Sequence, residues 1–272
     1  MKVQINCSYL EKGVVHDVQL LSNTKITLLS GNQNKVSALL GATERLLAFD
    51  FSEYYNKYDE SVGLYVPEEY HKCSLDLDDK ELHYPLRGNE TISASKYKGT
   101  RIIRYTGGNY IRVFECKDKS ETEGSLEDAI QSQDSGVGTD YTRVFTGRQP
   151  AKLIRFLEMF NSVFDKVASV SEDNTHVEFN FKALGREEVL IHTAKIVYMI
   201  LSEVYFNPDK KFILLIESLY NNVEFDVIQA FLRVIESMSN IDMMVMNLGN
   251  LYGLSLDSLK GTSDNISTET IH

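Results

Sequence analysis

The stretch TKITLLSGNQNKVSALLGA, residues 24–42, has the order of elements found around phosphate-binding loops: an apolar β-rich run, a Gly-Asn loop and an amphipathic run. Such a loop reads G-x-x-x-x-G-K-[ST], because backbone amides must surround the phosphates and the lysine must reach them. Counting from Gly31 puts Val36 at the second glycine and Ser37 at the lysine. Counting back from Lys35 leaves neither glycine in place. The stretch therefore lacks the residues that phosphate chemistry needs.

The elements around this loop predict an α/β fold. A strand at residues 25–29 precedes a helix over about 35–49, and AKLIRFLEMFNSVFDKVA has helical spacing of its apolar residues. A long helix through EEVLIHTAKIVYMILSEVYF leads to KFILLI, which is apolar after Lys211 and therefore expected to be buried on both faces. Asp226 can cap the helix DVIQAFLRVIESM, and the strand DMMVM follows it. This strand–helix–strand order predicts a parallel crossover.

A different pattern separates the two halves of this α/β region. Residues 51–150 contain Tyr- and Thr-rich alternating segments such as ELHYPL, which are typical of an inserted antiparallel β region. Within it, residues 115–140 are acidic and rich in Ser and Gly, which predicts a mobile surface loop. We therefore expect an α/β head from residues 1–50 and 151–254, and a polar, frayed tail at 255–272.

This order of elements resembles the ATP-binding-cassette (ABC) fold of the RecF and SMC type over most of the chain, which implies a P-loop fold with a mixed sheet and an inserted β-rich region. The landmarks of that family are altered here. Gly185 in KALGREEV is followed by arginine where the family's signature motif has glutamate. Glu217 is followed by serine where the family has a second acid that polarises the attacking water, and Asn247 stands where it has a histidine.

These alterations predict an ATPase-deficient protein with no productive use of ATP. The positions that would make up its vestigial nucleotide site are Gly31, Asn32, Asn34, Lys35, Ser37, Gly185, Glu217 and Asn247.

A narrower resemblance concerns KKFILLIESLYNNVEFDVIQAFLRVIESMSNIDMMVMN. It looks like the C-terminal half of the type II-A CRISPR adaptation accessory family, whose ring-forming members bind duplex ends and have an ABC-like head without ATPase activity. The resemblance implies double-stranded DNA as ligand, a homo-oligomer, calcium as a cofactor, and an accessory role in CRISPR spacer acquisition or antiviral defence. The β-rich residues 60–114 differ from that family's helical extension. The alternative is a degenerate RecF/SMC-like subunit that acts through protein partners in a defence or DNA-repair complex.

Two windows of this acidic chain contain no Asp or Glu. They span residues 91–114 and 142–157. If they lie side by side, their basic residues form a stripe that can follow a phosphate backbone. Alternatively, these residues protect strand edges or pair with the acidic loop between the windows. The candidate DNA-binding residues are Lys96, Lys98, Arg101, Arg104, Arg112, Arg143, Arg148, Lys152 and Arg155.

Composition sets the outer limits of function. The chain has 272 residues and a formal net charge of −11, which argues against a generally polycationic nucleic-acid binder. It has neither a signal-peptide core nor an uninterrupted apolar run of about 18 residues, so we expect a cytoplasmic protein without a membrane span. Cys7, Cys73 and Cys116 are widely separated and have no C-x-x-C spacing, which predicts inert thiols rather than disulfides or a zinc site.

Two further patterns were weighed as enzyme or metal sites. Glu115-Cys116-Lys117 at a strand end is similar to the E-x-K half of a metal-dependent nuclease, but no aspartate ends a strand in the preceding thirty residues. The stretch LDLDDKE lacks the glycine spacing of a calcium loop, so we assign no metal ligands. A divergent ATPase or a nuclease is the enzyme alternative to a non-catalytic protein.

Overall fold

In the computed structural model, two sheets enclose one helix, and three more helices cover the far face of the larger sheet. The residues that the structure describes are 2–11, 14–48, 58–59, 64–65, 73–78, 80–84, 97–107, 111–116, 150–172, 177–180, 184, 188–217, 219, 225–249 and 263–272.

The elements of this described part are as follows. The strands are β1 (Val3–Glu11), β2 (Val14–Ser22), β3 (Ile26–Gly31), β4 (Tyr58–Asp59), β5 (Leu64–Tyr65), β6 (Cys73–Leu77), β7 (Lys80–Tyr84), β8 (Thr100–Tyr105), β9 (Ile111–Glu115), β10 (Ala168–Val170), β11 (Val177–Phe179), β12 (Lys211–Ile216), β13 (Ile241–Asn247) and β14 (Ile266–Ile271). The helices are α1 (Gln33–Ala48), α2 (Pro150–Asn161), α3 (Glu188–Phe206) and α4 (Phe225–Ser237).

The larger sheet is mixed and has six strands in the order β14-β3-β13-β12-β8-β9. Its first five strands are mutually parallel, and β9 pairs antiparallel with β8. β12 and β13 are adjacent, so the helix α4 between them forms the parallel crossover that the sequence predicts. The α/β class with a mixed sheet is therefore confirmed.

Strand β12 lies at the centre of this sheet and is buried on both faces, as its continuous apolar sequence predicts. Phe212, Leu214 and Ile216 contribute to a core shared with α2, α3 and α4. Ile213 and Leu215 point to the opposite face, where they join a core built with α1. The alternation of side chains along a strand thus divides one apolar run between two cores.

Helix α1 lies between the two sheets. Its buried face, with Val36, Leu39 and Leu46 among its members, contacts the central sheet and the antiparallel sheet of order β2-β1-β6-β7. Glycine 41 is tolerated within this helix, and a Cβ at that position would meet no atom within 4 Å. α1 therefore packs the small sheet against the large one, and hydrogen bonds of Ser22 and Thr24 with Ser267 add a second contact between them.

One described helix has the length and composition of a membrane span. This is the segment Val189–Phe206 of α3, whose mean hydropathy is 1.4. Residues of this helix such as Ile196, Ile200 and Leu201 are fully buried in the core of the central sheet. The apolar character of α3 is thus explained by packing, which is consistent with a soluble protein.

Four of the described strands between residues 51 and 150 belong to the two main sheets, whereas the sequence suggests an inserted β region. β6 and β7 extend the N-terminal antiparallel sheet, because β6 pairs with β1. β8 and β9 belong to the central sheet, with β8 directly beside β12. The acidic stretch lies outside the described residues from residue 117 onward, so the prediction of a mobile loop is not addressed.

The prediction of a frayed polar tail is wrong for residues 266–271. They form β14, which pairs in parallel with β3 at the edge of the central sheet and buries Ile266 and Ile271. Hydrogen bonds from Ser263 and Asn265 to Glu236 hold the start of this strand against α4, and they lower the pKa of the Glu236 carboxyl. The other residues of β14 are polar, as an edge strand allows, so the sequence pattern does not distinguish this strand from a polar tail.

Gly31 is required where β14 meets the start of α1. Its φ is +106°, and a Cβ built there would collide with the carbonyl oxygen of Ile271. That same carbonyl accepts a hydrogen bond of 2.9 Å from the amide of Asn32. The end of β14 therefore seals the β3–α1 junction through backbone contacts.

We predict that Gly31→Ala lowers the free energy of unfolding by about 1–3 kcal/mol, because the residue would be held in a strained backbone conformation. Gly41→Ala is the matched control and should raise it by about 0.5–1 kcal/mol, since alanine is the better residue inside a helix. Urea unfolding followed by circular dichroism measures both. Equal effects of the two substitutions would contradict the assigned β14 contact.

Candidate functional site

The carboxyl ends of β3, β12 and β13 meet the first turns of α1, which is where parallel α/β sheets place ligand sites. Glu217 directly follows β12 and is largely buried. The hydroxyl of Ser37, on α1, donates a hydrogen bond to Oε1 of Glu217. Two of the positions taken from the sequence as a vestigial nucleotide site are therefore in direct contact.

The second oxygen of Glu217 is bound by an arginine from the neighbouring strand. Nη2 of Arg104, on β8, forms an ion pair with Oε2 of Glu217. The same guanidinium donates from Nη1 to the carbonyls of Tyr105, at 3.0 Å, and Leu215, at 3.3 Å. The Arg104 side chain is only 3% exposed. Arg104 is therefore a buried cation, and both of its terminal nitrogens, Nη1 and Nη2, have partners within the protein.

A second carboxylate completes this arrangement. Glu44 of α1 accepts from Nε of Arg104 at 3.2 Å and from Nη1 of Arg112, on β9, at 2.9 Å. Two guanidinium groups thus face two carboxylates, and their formal charges cancel. We call Ser37, Glu44, Arg104, Arg112 and Glu217 the guanidinium–carboxylate cluster.

The junction between β3 and α1 leaves no room for a phosphate loop. A single residue, Asn32, separates the end of β3 from the start of α1. Its side-chain oxygen accepts from the amide of Lys35 at 3.2 Å, which caps the helix. Lys35 itself donates from Nζ to the carbonyl of His272. The Lys35 ammonium is therefore bound to the residue that directly follows β14.

Asn247 also contributes to the closed junction. Its side-chain amide donates to Gln33 Oε1 at 2.8 Å, and its oxygen accepts from the amide of Gly249 at 3.0 Å. The position that would sense a γ-phosphate therefore ties the end of β13 to the first residue of α1.

The residues present do not fit magnesium-bound ATP. Magnesium needs carboxylate or hydroxyl oxygens that are not already neutralised, and both oxygens of Glu217 are bound by Ser37 and Arg104. A phosphate needs the loop amides and lysine, whereas this junction has one linking residue and a lysine bound elsewhere. Within the described part of the chain, no group of three or more His, Cys, Asp or Glu side chains could hold a metal ion.

Three arginines of the first basic window form ion pairs within the protein. Arg104 is buried. Arg112 is bound to Glu44, and its Cζ lies 5.0 Å from the centroid of the Phe114 ring. Arg101 is paired with Glu203 and, at 3.3 Å, with Glu115. The window has no acidic residue of its own, but the fold brings glutamates from other elements to it. Three of the candidate DNA-binding arginines therefore form ion pairs within the protein.

The two described basic residues of the second window, Lys152 and Arg155, lie on α2. Arg155 is exposed there. Nζ of Lys152 lies 5.9 Å from the ring centroid of Tyr205 and 5.4 Å from that of Phe206, within cation–π range. Lys98 is also exposed, in the turn before β8. The candidates outside the described residues are Gly185, Lys96, Arg143 and Arg148.

The nuclease-like element is represented by Glu115 in the described part of the chain. Glu115 accepts from Lys210 Nζ at 2.9 Å and from Arg101, and these hydrogen bonds lower the pKa of its carboxyl. Lys117 lies outside the described residues. Glu115 therefore behaves as an ordinary strand-end charge with cationic neighbours.

Sequence reasoning missed the residues that matter most at this site. Glu44 is absent from the residues that the sequence analysis singles out, and Arg104 appears there only as a candidate DNA-binding residue. The sequence does contain a signal that Arg104 is buried. In TRIIRY, Arg104 lies between apolar residues of a strand that is flanked by turns. A charge inside an apolar strand requires an internal partner.

A scan against protein-family models found no match to this chain, and a search of the curated proteins found none either.

We predict that Arg104→Met lowers the free energy of unfolding by about 3–5 kcal/mol, because it leaves Glu217 and Glu44 without their shared buried cation. The double variant with Glu217→Gln should be less destabilised than Arg104→Met alone, since the unpaired charge is removed.

Lys2→Met is the control, since Lys2 is 52% exposed in its ion pair with Asp76, which should contribute under about 1 kcal/mol. Denaturant unfolding of the four proteins measures these differences. A near-neutral Arg104→Met would contradict the assigned cluster.

Proposed function

We propose that this chain is an ATPase-deficient α/β protein of ABC-like descent that acts by binding a partner, without catalysis. The observation that supports this best is the ion pair between Arg104 and Glu217. Hydrolysis of ATP requires an acidic residue at a strand end to hold the magnesium-bound water. Here that carboxylate is neutralised by a guanidinium that the fold itself supplies.

The shape of the β3–α1 junction supports the same proposal independently of charge. A phosphate loop needs a longer connection between the strand and the helix. Here the connection is one residue long, and the backbone of Ile271 lies against Gly31. Ser37 retains a hydroxyl next to the strand-end carboxylate, as a magnesium-binding serine would. A nucleotide site that has been converted into a structural contact accounts for both features.

We predict that the purified protein releases no phosphate from magnesium-ATP above the rate of a heat-inactivated sample. Glu217→Gln should give the same background, because no active carboxylate would be lost. Malachite-green phosphate detection at several enzyme concentrations checks this. Turnover that scales with protein and disappears in Glu217→Gln would support a divergent ATPase instead.

Double-stranded DNA is the partner class that we propose, in an oligomeric cytoplasmic accessory of CRISPR spacer acquisition or antiviral defence. The resemblance of residues 210–247 motivates it, together with two basic residues of α2, Lys152 and the exposed Arg155. Since Arg101, Arg104 and Arg112 are held in internal ion pairs, α2 is the described element best suited to meet a phosphate backbone.

A second candidate is a subunit that acts through protein partners in a defence or DNA-repair complex. The observation in its favour is the charge balance: the chain is acidic, with a net charge of −11, and three arginines of its first basic window already have glutamate partners. This candidate predicts little affinity for DNA in isolation and stable co-purification with another protein.

We predict that a fluorescent DNA duplex binds the protein in low salt and is released as salt rises, and that Arg155→Glu weakens binding and lowers the salt slope by about 1. Arg233→Glu is the matched control, because Arg233 is also an exposed helical arginine but lies on α4. Fluorescence anisotropy from about 50 mM salt upward measures both. Absence of binding at the lowest salt would favour the protein-partner candidate.

A further inference from the structure

The register of the small sheet brings two cysteines together that are far apart in sequence. β1 and β6 are antiparallel, and Cys7 lies directly opposite Cys73. Both side chains are buried, at 4% and 5% exposure, and both belong to the apolar core that the small sheet forms with α1. Sequence spacing alone gave no sign of this pairing.

The hydrogen-bond pattern identifies the type of cross-strand pair. The amide of Asp78 donates to the carbonyl of Lys2 at 3.0 Å, and these residues are opposite each other one step beyond the β1–β6 register. Hydrogen-bonded and non-hydrogen-bonded pairs alternate along an antiparallel ladder. Counting from this pair puts Cys7 and Cys73 in the non-hydrogen-bonded class, where side chains approach most closely.

The expected separation suits a covalent bond. In non-hydrogen-bonded pairs the two Cα atoms are about 4.5 Å apart. Disulfides span Cα separations of roughly 4.4–6.8 Å. The pair lies near the short end of that range, so a disulfide can form without separating the strands.

We propose that Cys7 and Cys73 form a redox-active dithiol, a modification site that a small-molecule disulfide oxidises to an intramolecular cross-strand disulfide. The bond would join β1 to β6 beneath α1, the helix that carries Ser37 and Glu44 of the guanidinium–carboxylate cluster. Oxidation would therefore restrain the sheet on which that helix rests.

The chemistry balances with one molecule of oxidised glutathione. One cysteine thiolate attacks a glutathione sulfur, forming a mixed disulfide and releasing a glutathione thiolate. The second cysteine thiolate then attacks the protein sulfur of the mixed disulfide, which forms the Cys7–Cys73 bond and releases a second glutathione thiolate. The two protons lost by the cysteines are taken up by the two released thiolates. The protein loses two electrons, and glutathione disulfide gains them.

Burial sets the rate of this exchange in the folded protein. It raises the pKa of the Cys7 thiol to about 12, with a further contribution from Asp17, so the thiolate is scarce near neutral pH. Oxidation of the native protein should be slow for this reason. Refolding from denaturant in a glutathione redox buffer exposes both thiols and allows equilibrium to be reached.

The test is a non-reducing peptide map after such refolding, with the remaining thiols alkylated. In the wild type we expect one linked pair of peptides, containing Cys7 and Cys73, and an alkylated Cys116. Cys116→Ser is the matched control, because Cys116 is equally buried but lies after β9, outside the β1–β6 register, and it should retain the link. Cys73→Ser should lose it.

Thermal unfolding supplies a second readout. Oxidised wild type should melt several degrees above the reduced protein, because the bond restrains the unfolded chain. The melting temperature of Cys73→Ser should not depend on the redox buffer. Three alkylated thiols in refolded wild type at the most oxidising ratio, a link through Cys116, or equal melting of linked and reduced protein would overturn the proposal. The wild-type map requires no variant to fold.

Discussion

The buried guanidinium of Arg104 holds together the end of the structure where function would be expected. It binds Glu217 at the end of β12 and Glu44 on α1, and it donates to two strand carbonyls. A charge buried to this degree is costly without partners, so the surrounding elements must stay in register to satisfy it. The central sheet and α1 are therefore coupled through one side chain, which also neutralises the acidic residue that a nucleotide site would use.

This coupling changes how the basic windows of the sequence should be interpreted. A run of arginines without nearby acids suggested a surface for DNA, but Arg101, Arg104 and Arg112 meet glutamates contributed by α3, α1, β9 and the end of β12. Distance along the chain says nothing about charges that tertiary structure brings together. Any DNA-binding role now depends mainly on other basic residues, of which Arg155 on α2 is exposed.

Local patterns predicted the elements well, whereas their neighbours in space could not be read from sequence. The strand 211–216 and helix α1 followed directly from apolar periodicity. β14 was missed because its serine, threonine and glutamate residues resemble a tail, although Ile266 and Ile271 anchor it beside β3. The facing of Cys7 and Cys73 depends on the β1–β6 register, which is a property of the folded sheet alone.

We propose that the internal cation and the closed β3–α1 junction stand in place of a nucleotide site. Isothermal titration calorimetry of magnesium-ATP into the protein tests it most directly, because binding is measured whether or not hydrolysis follows. We expect no saturable heat up to a nucleotide concentration of about 1 mM, a range that would reveal binding stronger than about −4 kcal/mol. One-to-one binding that is lost in Ser37→Ala would contradict the account and restore this junction as a working nucleotide site.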